Sequence, residues 1–338
     1  MTSRPTIAAI AEAAGVSTAS VSYALNGVPG VSAQTRERVL AVADELGWRP
    51  SIAARSLSSA RAHAVGLVLA RPGDTLGLEP FFMRFILGLE RELATAGFAL
   101  VLQLAEDHRA WNRTVSAWWA ERRVDAVVVT DLHSRDSRIP VLRKLGVPCV
   151  IAGRPQRNLT ASTVWVDDGL GVRSAVESLL SQGHRRIARV AGLHALDHTR
   201  ARAAAFDAVM RVNGLVGDVV ETDYTYEGGM VATRQLLDRP VPPTAVLYDS
   251  DLLAVAGANC ARELGLGVPT DLSIIAGDDS TLCEVSQPPL TALSRDVVAF
   301  GSTVARALIE QLSGHEPSLV EAPAPVLVVR GSTGPPSA

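Results

Sequence analysis

Thr18, Ala19, Ser22, Tyr23 and Asn26 fall on one face of a short helical segment that follows Gly15, opposite Val21, Ala24 and Leu25. Short hydroxyls, a phenol and an amide at that spacing can meet base edges in the major groove of a DNA duplex. A three-helix bundle with a merely solvated face has the same pattern, and spacing alone leaves both open. A second set of groups could hold a hydroxyl-rich small molecule: Gly153-Arg154, Leu193–His198, Asp249–Asp251 and Asp278-Asp279, with Phe81 and Phe82 as flat apolar partners. Carboxylates and Arg bond hydroxyls in pairs, and a ring packs on the apolar face of a sugar.

No bond-breaking machinery accompanies them. The chain has no G-x-S-x-G, no Walker loop and no G-x-G-x-x-G after a strand, so it is not expected to be an enzyme. His194 and His198 stand four apart, but the Glu of a zinc protease is missing, and neither a metal nor another cofactor is expected. Cys149, Cys260 and Cys283 lack metal-type spacing and read as buried thiols of a cytoplasmic protein.

The elements that must hold these residues follow from caps and periodicity. Thr6 can cap a helix with Ile7, Ile10, Ala11 and Ala14 on one stripe. Gly15 breaks it, Ser17 can cap a second helix, and Ser32 a third with Val39, Val42, Ala43 and Leu46 inward. Two short helices joined by a tight Gly-containing turn match helix-turn-helix geometry.

After Arg61 apolar runs alternate with amphipathic helices. Strands are expected at 64–70, 98–104, 126–130, 148–152, 186–191, 245–248, 273–276 and 325–329. Helices are expected between most of them, at 84–96, 110–122, 169–181, 200–212, 228–237, 252–264 and 297–313. That alternation calls for an α/β fold with parallel sheets covered on both faces, and 338 residues allow two such sheets. In open α/β sheets ligands sit beyond the carboxyl ends of the strands, where the second set of polar groups falls.

The run TIAAIAEAAGVSTASVSYALNG at 6–27, followed by VSAQTRERVLAVADELGWRPSIAARSL at 31–57, resembles the headpiece of the lactose/galactose repressor (LacI/GalR) family of bacterial transcription regulators. Weaker similarity continues through GRP at 153–155, GHRRI at 183–187, DLSIIAGDD at 271–279 and PPLT at 288–291, so it spans almost the whole chain.

The resemblance implies a helix-turn-helix headpiece at 1–49, a hinge helix at 50–61, and an effector-binding and dimerisation core at 62–330. That core would have the two lobes of periplasmic sugar-binding proteins: an N-lobe of 62–165 and 295–324, and a C-lobe of 166–294 and 325–330. Residues 331–338, short and rich in Pro, Gly and Ser, are expected to form a flexible tail. It places Thr18, Ala19 and Tyr23 at base-reading positions; Tyr23 replaces the Arg of many members, removing a bidentate guanine partner. Thr6, Ser17, Ser20, Ser22, Asn26, Arg36 and Arg49 would contact phosphates, set register or simply cap helices.

In the hinge, Ser51 would cap after Pro50, Ala54 would let two hinge helices approach, and Leu57 would wedge into the minor groove. In the core, Arg202 and Asp278 match recurrent effector contacts, with Phe81, Phe82, Arg154, His198, Tyr224, Ser250 and Asp251 nearby. Gly153, Ser250, Gly277 and Ala205 depart from common family residues, implying a larger or less polar pocket.

Charge agrees modestly. Residues 1–61 carry six Arg against four acids, while the whole chain is −3. One weakly basic headpiece makes little field, so a homodimer on near-palindromic double-stranded DNA is expected. No apolar run approaches membrane-spanning length, and no secretory leader opens the chain. The implied function is a DNA-binding repressor controlled by a small effector, first of all a sugar; a sugar-binding protein without regulation is the alternative.

Overall fold

The computed structural model describes residues 5–48, 61–70, 80–155 and 160–337. It divides into two compact units, Met1–Ala62 and His63–Ala338. The expected contacts Arg49, Ser51, Ala54 and Leu57 lie outside the described residues.

The first unit holds α1 (Ile7–Ala14), α2 (Thr18–Leu25) and α3 (Ala33–Glu45). Each is started by a hydroxyl. Thr6 Oγ1 accepts from the Ala9 amide at 3.2 Å, Ser17 Oγ from Ser20 at 3.1 Å and Ser32 Oγ from Thr35 at 3.2 Å. These bonds satisfy amides that the first turn of a helix leaves without partners. Gly15, left-handed at φ 64°, ends α1, and α2 departs at 103° to it.

Ile10, Val21 and Val39 are fully buried at the centre, with Ala11, Ala14, Ala24 and Ala43 around them. Two inward assignments need correction: Ile7 is 38% exposed and Leu46 40%. Each sits at an end of its helix, away from the buried centre of the bundle.

Among the described residues the second unit contains two six-stranded sheets. In chain order the first uses β1 (Ala64–Leu69), β2 (Ala99–Leu104), β3 (Ala126–Val129), β4 (Cys149–Ala152) and β5 (Ser162–Trp165). The second uses β6 (Ile187–Ala191), β7 (Asp218–Glu221), β8 (Ala245–Tyr248), β9 (Ser273–Ala276) and β10 (Thr291–Ser294). The chain then returns to the first sheet with β11 (Leu319–Glu321) and ends in the second with β12 (Val326–Val328).

The strand orders are β11-β5-β4-β3-β1-β2 and β12-β10-β9-β8-β6-β7. The chain thus passes between the sheets three times, after β5, β10 and β11. Among the described residues every pairing is parallel, as expected, except that of β12 at the edge of the second sheet, which lies antiparallel to β10. β1, β3, β8 and β9 are buried along their whole length, which is why they read as unbroken apolar runs.

Helices cover the faces: α4 (Pro80–Thr95), α5 (His108–Ala120), α6 (Arg138–Leu145), α7 (Asp168–Ser181) and α8 (Asp197–Val212), then α9 (Tyr226–Leu237), α10 (Asp251–Glu263), α11 (Thr281–Val285) and α12 (Val297–Leu312). α4 and α12 cross glycine to glycine. A Cβ on Gly88 would meet the Val298 carbonyl at 2.1 Å, and one on Gly301 the Phe85 carbonyl at 2.3 Å. That close approach fixes Phe81 and Phe300, one on each helix, relative to one another.

The expected flexible tail is also corrected. Ser332 is wholly buried; its hydroxyl donates to the Ile274 carbonyl at 2.6 Å and accepts the Thr291 amide at 2.8 Å. His184 Nε2 lies 2.8 Å from the Gly334 carbonyl. Loop-like composition hid a strap whose polar groups satisfy backbone groups of β9 and β10.

Candidate functional site

Two faces bring together the residues singled out above, one in each unit. On α2, Thr18, Ala19 and Tyr23 are exposed, Tyr23 at 45%, while Val21 and Ala24 turn inward. Ser20 and Ser22 are half-buried beside them. The hydroxyls of Thr6 and Ser17 are occupied as caps, and Ser17 Oγ also lies 2.9 Å from Ser20 Oγ. Asn26 donates its amide to the Ser22 carbonyl at 3.0 Å, closing the end of α2.

Arg36 donates to the Val28 carbonyl at 2.8 Å, fastening α3 to the loop after α2. Gly30, at φ 133°, lies under the Tyr23 ring: a Cβ there would stand 2.8 Å from Tyr23 Cδ2. The phenol is therefore held by backbone, with its exposed side available.

The second face is a cleft of about 960 Å³ at the carboxyl ends of both sheets. Phe81 and Phe82 enter from α4, after β1, and Arg154 from the exposed end of β4. His198 and Arg202 project from α8, after β6, and Tyr224 from the loop after β7. Ser250 and Asp251 follow β8, and Asp278 follows β9. All nine expected effector-side residues thus line one cavity.

An ion network not visible in the sequence runs through it. Arg202 Nη2 lies 3.0 Å from Asp168 Oδ1, and its Nη1 donates to the Asp249 carbonyl at 2.8 Å. Arg295 reaches the same Asp168 oxygen at 3.4 Å and Asp278 Oδ1 at 2.9 Å. Behind them Arg189, fully buried, forks onto both oxygens of Asp249 at 2.8 and 2.6 Å.

Burial opposes ionisation of Asp168, but the Arg202 and Arg295 guanidiniums outweigh it and hold its carboxyl below the usual range. Burial also works against charge on Arg202, yet the carboxylates of Asp168, Asp249 and Asp278 push its pKa up, so it stays cationic. Asp251 goes the other way. Burial and the neighbouring Asp278 raise its pKa, partly countered by the Ser280 hydroxyl, which donates to it.

Four phenylalanines make the apolar wall. Phe81 stacks on Phe85 at 6.1 Å, meets Phe82 edge-on at 5.3 Å, and Phe300 lies 5.7 Å from Phe85. The guanidinium of Arg295 covers Phe81 at 5.0 Å. Two of the four described non-glycine residues at positive φ, Asp131 (50°) and Tyr224 (68°), border this cavity; such strain concentrates at binding sites.

Sequence reasoning missed Asp168, Asp131, Phe300 and Arg295, and reached Asp197 only as part of the run Leu193–His198. Asp168 and Arg295 sit just past Trp165–Asp167 and Ser294, where the chain crosses between sheets; a polar residue ending a strand was the available signal. No group of three or more His, Cys, Asp or Glu side chains that could hold a metal ion occurs among the described residues.

A helix-turn-helix unit followed by two parallel sheets around a polar and aromatic cleft defines a ligand-responsive DNA-binding regulator. The sequence profile of the bacterial regulatory proteins of the lacI family matches residues 6–51, and that of periplasmic binding protein-like domains matches 176–333. The HTH-type transcriptional regulator CelR of Thermobifida fusca is 34% identical over 92% of this chain and 93% of its own length.

A solved CelR–cellobiose complex superposes with a TM-score of 0.74 at 33% identity, covering 97% of this chain and 100% of that one. The Lac repressor dimer bound to operator and the anti-inducer ONPF superposes with a TM-score of 0.85 at 25% identity, covering 98% and 100%. The chain belongs to the LacI family. It is a DNA-binding transcriptional regulator, not an enzyme.

Proposed function

We propose that the protein is a repressor that acts as a homodimer on a near-palindromic operator, its affinity set by a carbohydrate bound in the cleft. The observation that carries this is the convergence of paired Arg and Asp groups with a phenylalanine wall at the carboxyl ends of both sheets. Hydroxyls bond such groups in pairs, and a pyranose lays its apolar face on the rings. Support also comes from the cellobiose complex of the relative CelR.

Thr18, Ala19 and Tyr23 read bases, with the α2 amide and hydroxyl groups setting register on phosphates. The segment at 50–61, including Ser51, Ala54 and Leu57, forms a hinge that opens the minor groove, and Arg49 meets the backbone. The protein works in the cytoplasm, on the nucleoid. The effector need only bind one arrangement of the two sheets better than another. A coupling of ~1–3 kcal/mol changes operator affinity by roughly 5- to 150-fold.

The test is a gel shift on the DNA upstream of the protein's own gene, with and without candidate sugars. Specific retention that a sugar alters supports the proposal. Retention equal to that of bulk DNA under every condition overturns it. A Leu57→Gly chain that keeps operator affinity removes the hinge from it.

A further inference from the structure

Among the described residues, six aspartates and three arginines border the cleft: Asp131, Asp168, Asp197, Asp249, Asp251 and Asp278 against Arg154, Arg202 and Arg295. The positive groups deep in it are already engaged. Arg202 spans Asp168 and the Asp249 carbonyl, and Arg295 spans Asp168 and Asp278 while covering Phe81. Arg189 is spent on Asp249, and Arg154 stands at the exposed end of β4.

The negative groups are less fully matched. Asp251 accepts from the Ser280 hydroxyl and the Leu252 amide, and among the described residues no cation pairs with it. Asp197 Oδ1 is buried without a hydrogen bond; Arg200 is 3.4 Å away, an ion-pair distance lacking hydrogen-bond geometry. A buried acceptor without a partner destabilises the empty site until a donor reaches it. What the cavity lacks is therefore hydrogen-bond donors.

We infer that the effector carries no negative charge: it is a neutral polyol or an amino derivative of one, and phosphorylated or uronic sugars are rejected. The inference rests on the carbohydrate reading of the cleft. A phosphate or carboxylate reaching the inner part of the cleft, beyond Arg154 at its rim, would have to displace Asp168 or Asp278 from a guanidinium, or lie beside the carboxylates of Asp197 and Asp251. Hydroxyls, by contrast, donate to Asp197 and Asp251 and accept from the arginines without separating any pair. An ammonium satisfies the same two carboxylates and adds a charge-assisted bond.

The experiment is a thermal-shift series on the full chain at matched ionic strength. It uses sugars in sets of four: the neutral hexose or disaccharide, its 2-amino derivative, its 6-phosphate and its uronate. Stabilisation confined to neutral and amino members is expected. A phosphate or uronate that stabilises more than its neutral parent overturns the inference while leaving the carbohydrate reading intact. No shift from any set overturns both.

The Asp197→Asn chain supplies a readout that a merely structural role would not move. The preference for the neutral sugar over its phosphate is expected to fall by about tenfold, the effect of one nearby charge in a poorly solvated site. A ratio unchanged from the parent chain counts against the assignment of Asp197.

Discussion

Arg295 Nη2 and Asp278 Oδ1 lie 2.9 Å apart, a link from the crossing segment after β10 to the loop after β9. The same guanidinium rests 5.0 Å from the Phe81 ring, which follows β1 of the other sheet. One side chain on a crossing thus touches groups carried by both sheets.

Replacing that side chain tests its place in signalling. Arg295→Ala removes the cation from Asp278 and one of two from Asp168, and uncovers Phe81. Operator binding without ligand is expected to persist, while the effector's influence on it shrinks severalfold. Effector titrations of a fluorescently labelled operator complex would show this.

Arg202→Ala should be the more damaging change to the fold. It leaves buried Asp168 with Arg295 alone and strips the Asp249 carbonyl of its donor. Breaking a buried pair costs about 3–5 kcal/mol, so a large drop in urea midpoint is expected together with loss of effector response. Denaturation at neutral pH, with and without effector, separates the two effects.

Tyr23 and Gly30 make a paired prediction for the DNA face. Tyr23→Ala removes an exposed ring, so stability should change little while base preference shifts at one or two half-site positions. Gly30→Ala places a Cβ against that ring on a backbone at φ 133°, costing about 1–3 kcal/mol and moving the phenol. Selection from randomised operators is expected to give altered preferences for both variants, with a melting-point loss only for the second.

Acid should weaken the fold through two histidines. Burial, then Arg138, lowers the pKa of His108 to about 4, and burial lowers that of His184. Both are neutral when folded at pH 7, and the unfolded chain takes up protons first as pH falls below 6.5. Stability is therefore complete above pH 6.5 and, for His108, is lost progressively from there to about 4. The full loss approaches about 3 kcal/mol for a shift of that size. Urea unfolding across this range should give a shallower pH slope for His108→Gln.

Ser332→Ala tests the strap over the second sheet. It removes the acceptor of the Thr291 amide and the donor to the Ile274 carbonyl, leaving two buried backbone groups unmatched. Losses of about 2 kcal/mol are expected, seen as a lower melting temperature with DNA binding intact in the cold.

Local rules made much of this architecture legible. Fully buried strands such as β1 and β8 are continuous apolar runs, and the three hydroxyl caps stand one residue ahead of their helices. β5, β7, β10 and β11 escaped because they are three or four residues long and mix Thr, Ser, Asp or Glu with the apolar positions. α6 escaped because Pro140 reads as a breaker, although in the first turn a proline costs no hydrogen bond.

What the sequence determined by itself was the class of machine: a capped helix pair around Gly15 and a long alternation of strand and helix, both set by neighbours within a few residues. Family likeness extended this to the nine side chains now found around one cleft. The tertiary structure decided the electrostatics of that cleft. Arg295 and Asp168 are 127 residues apart along the chain and 3.4 Å apart in space. No local pattern records which carboxylate a guanidinium will face, because the pairing is fixed only when two sheets fold and the crossings bring their ends together.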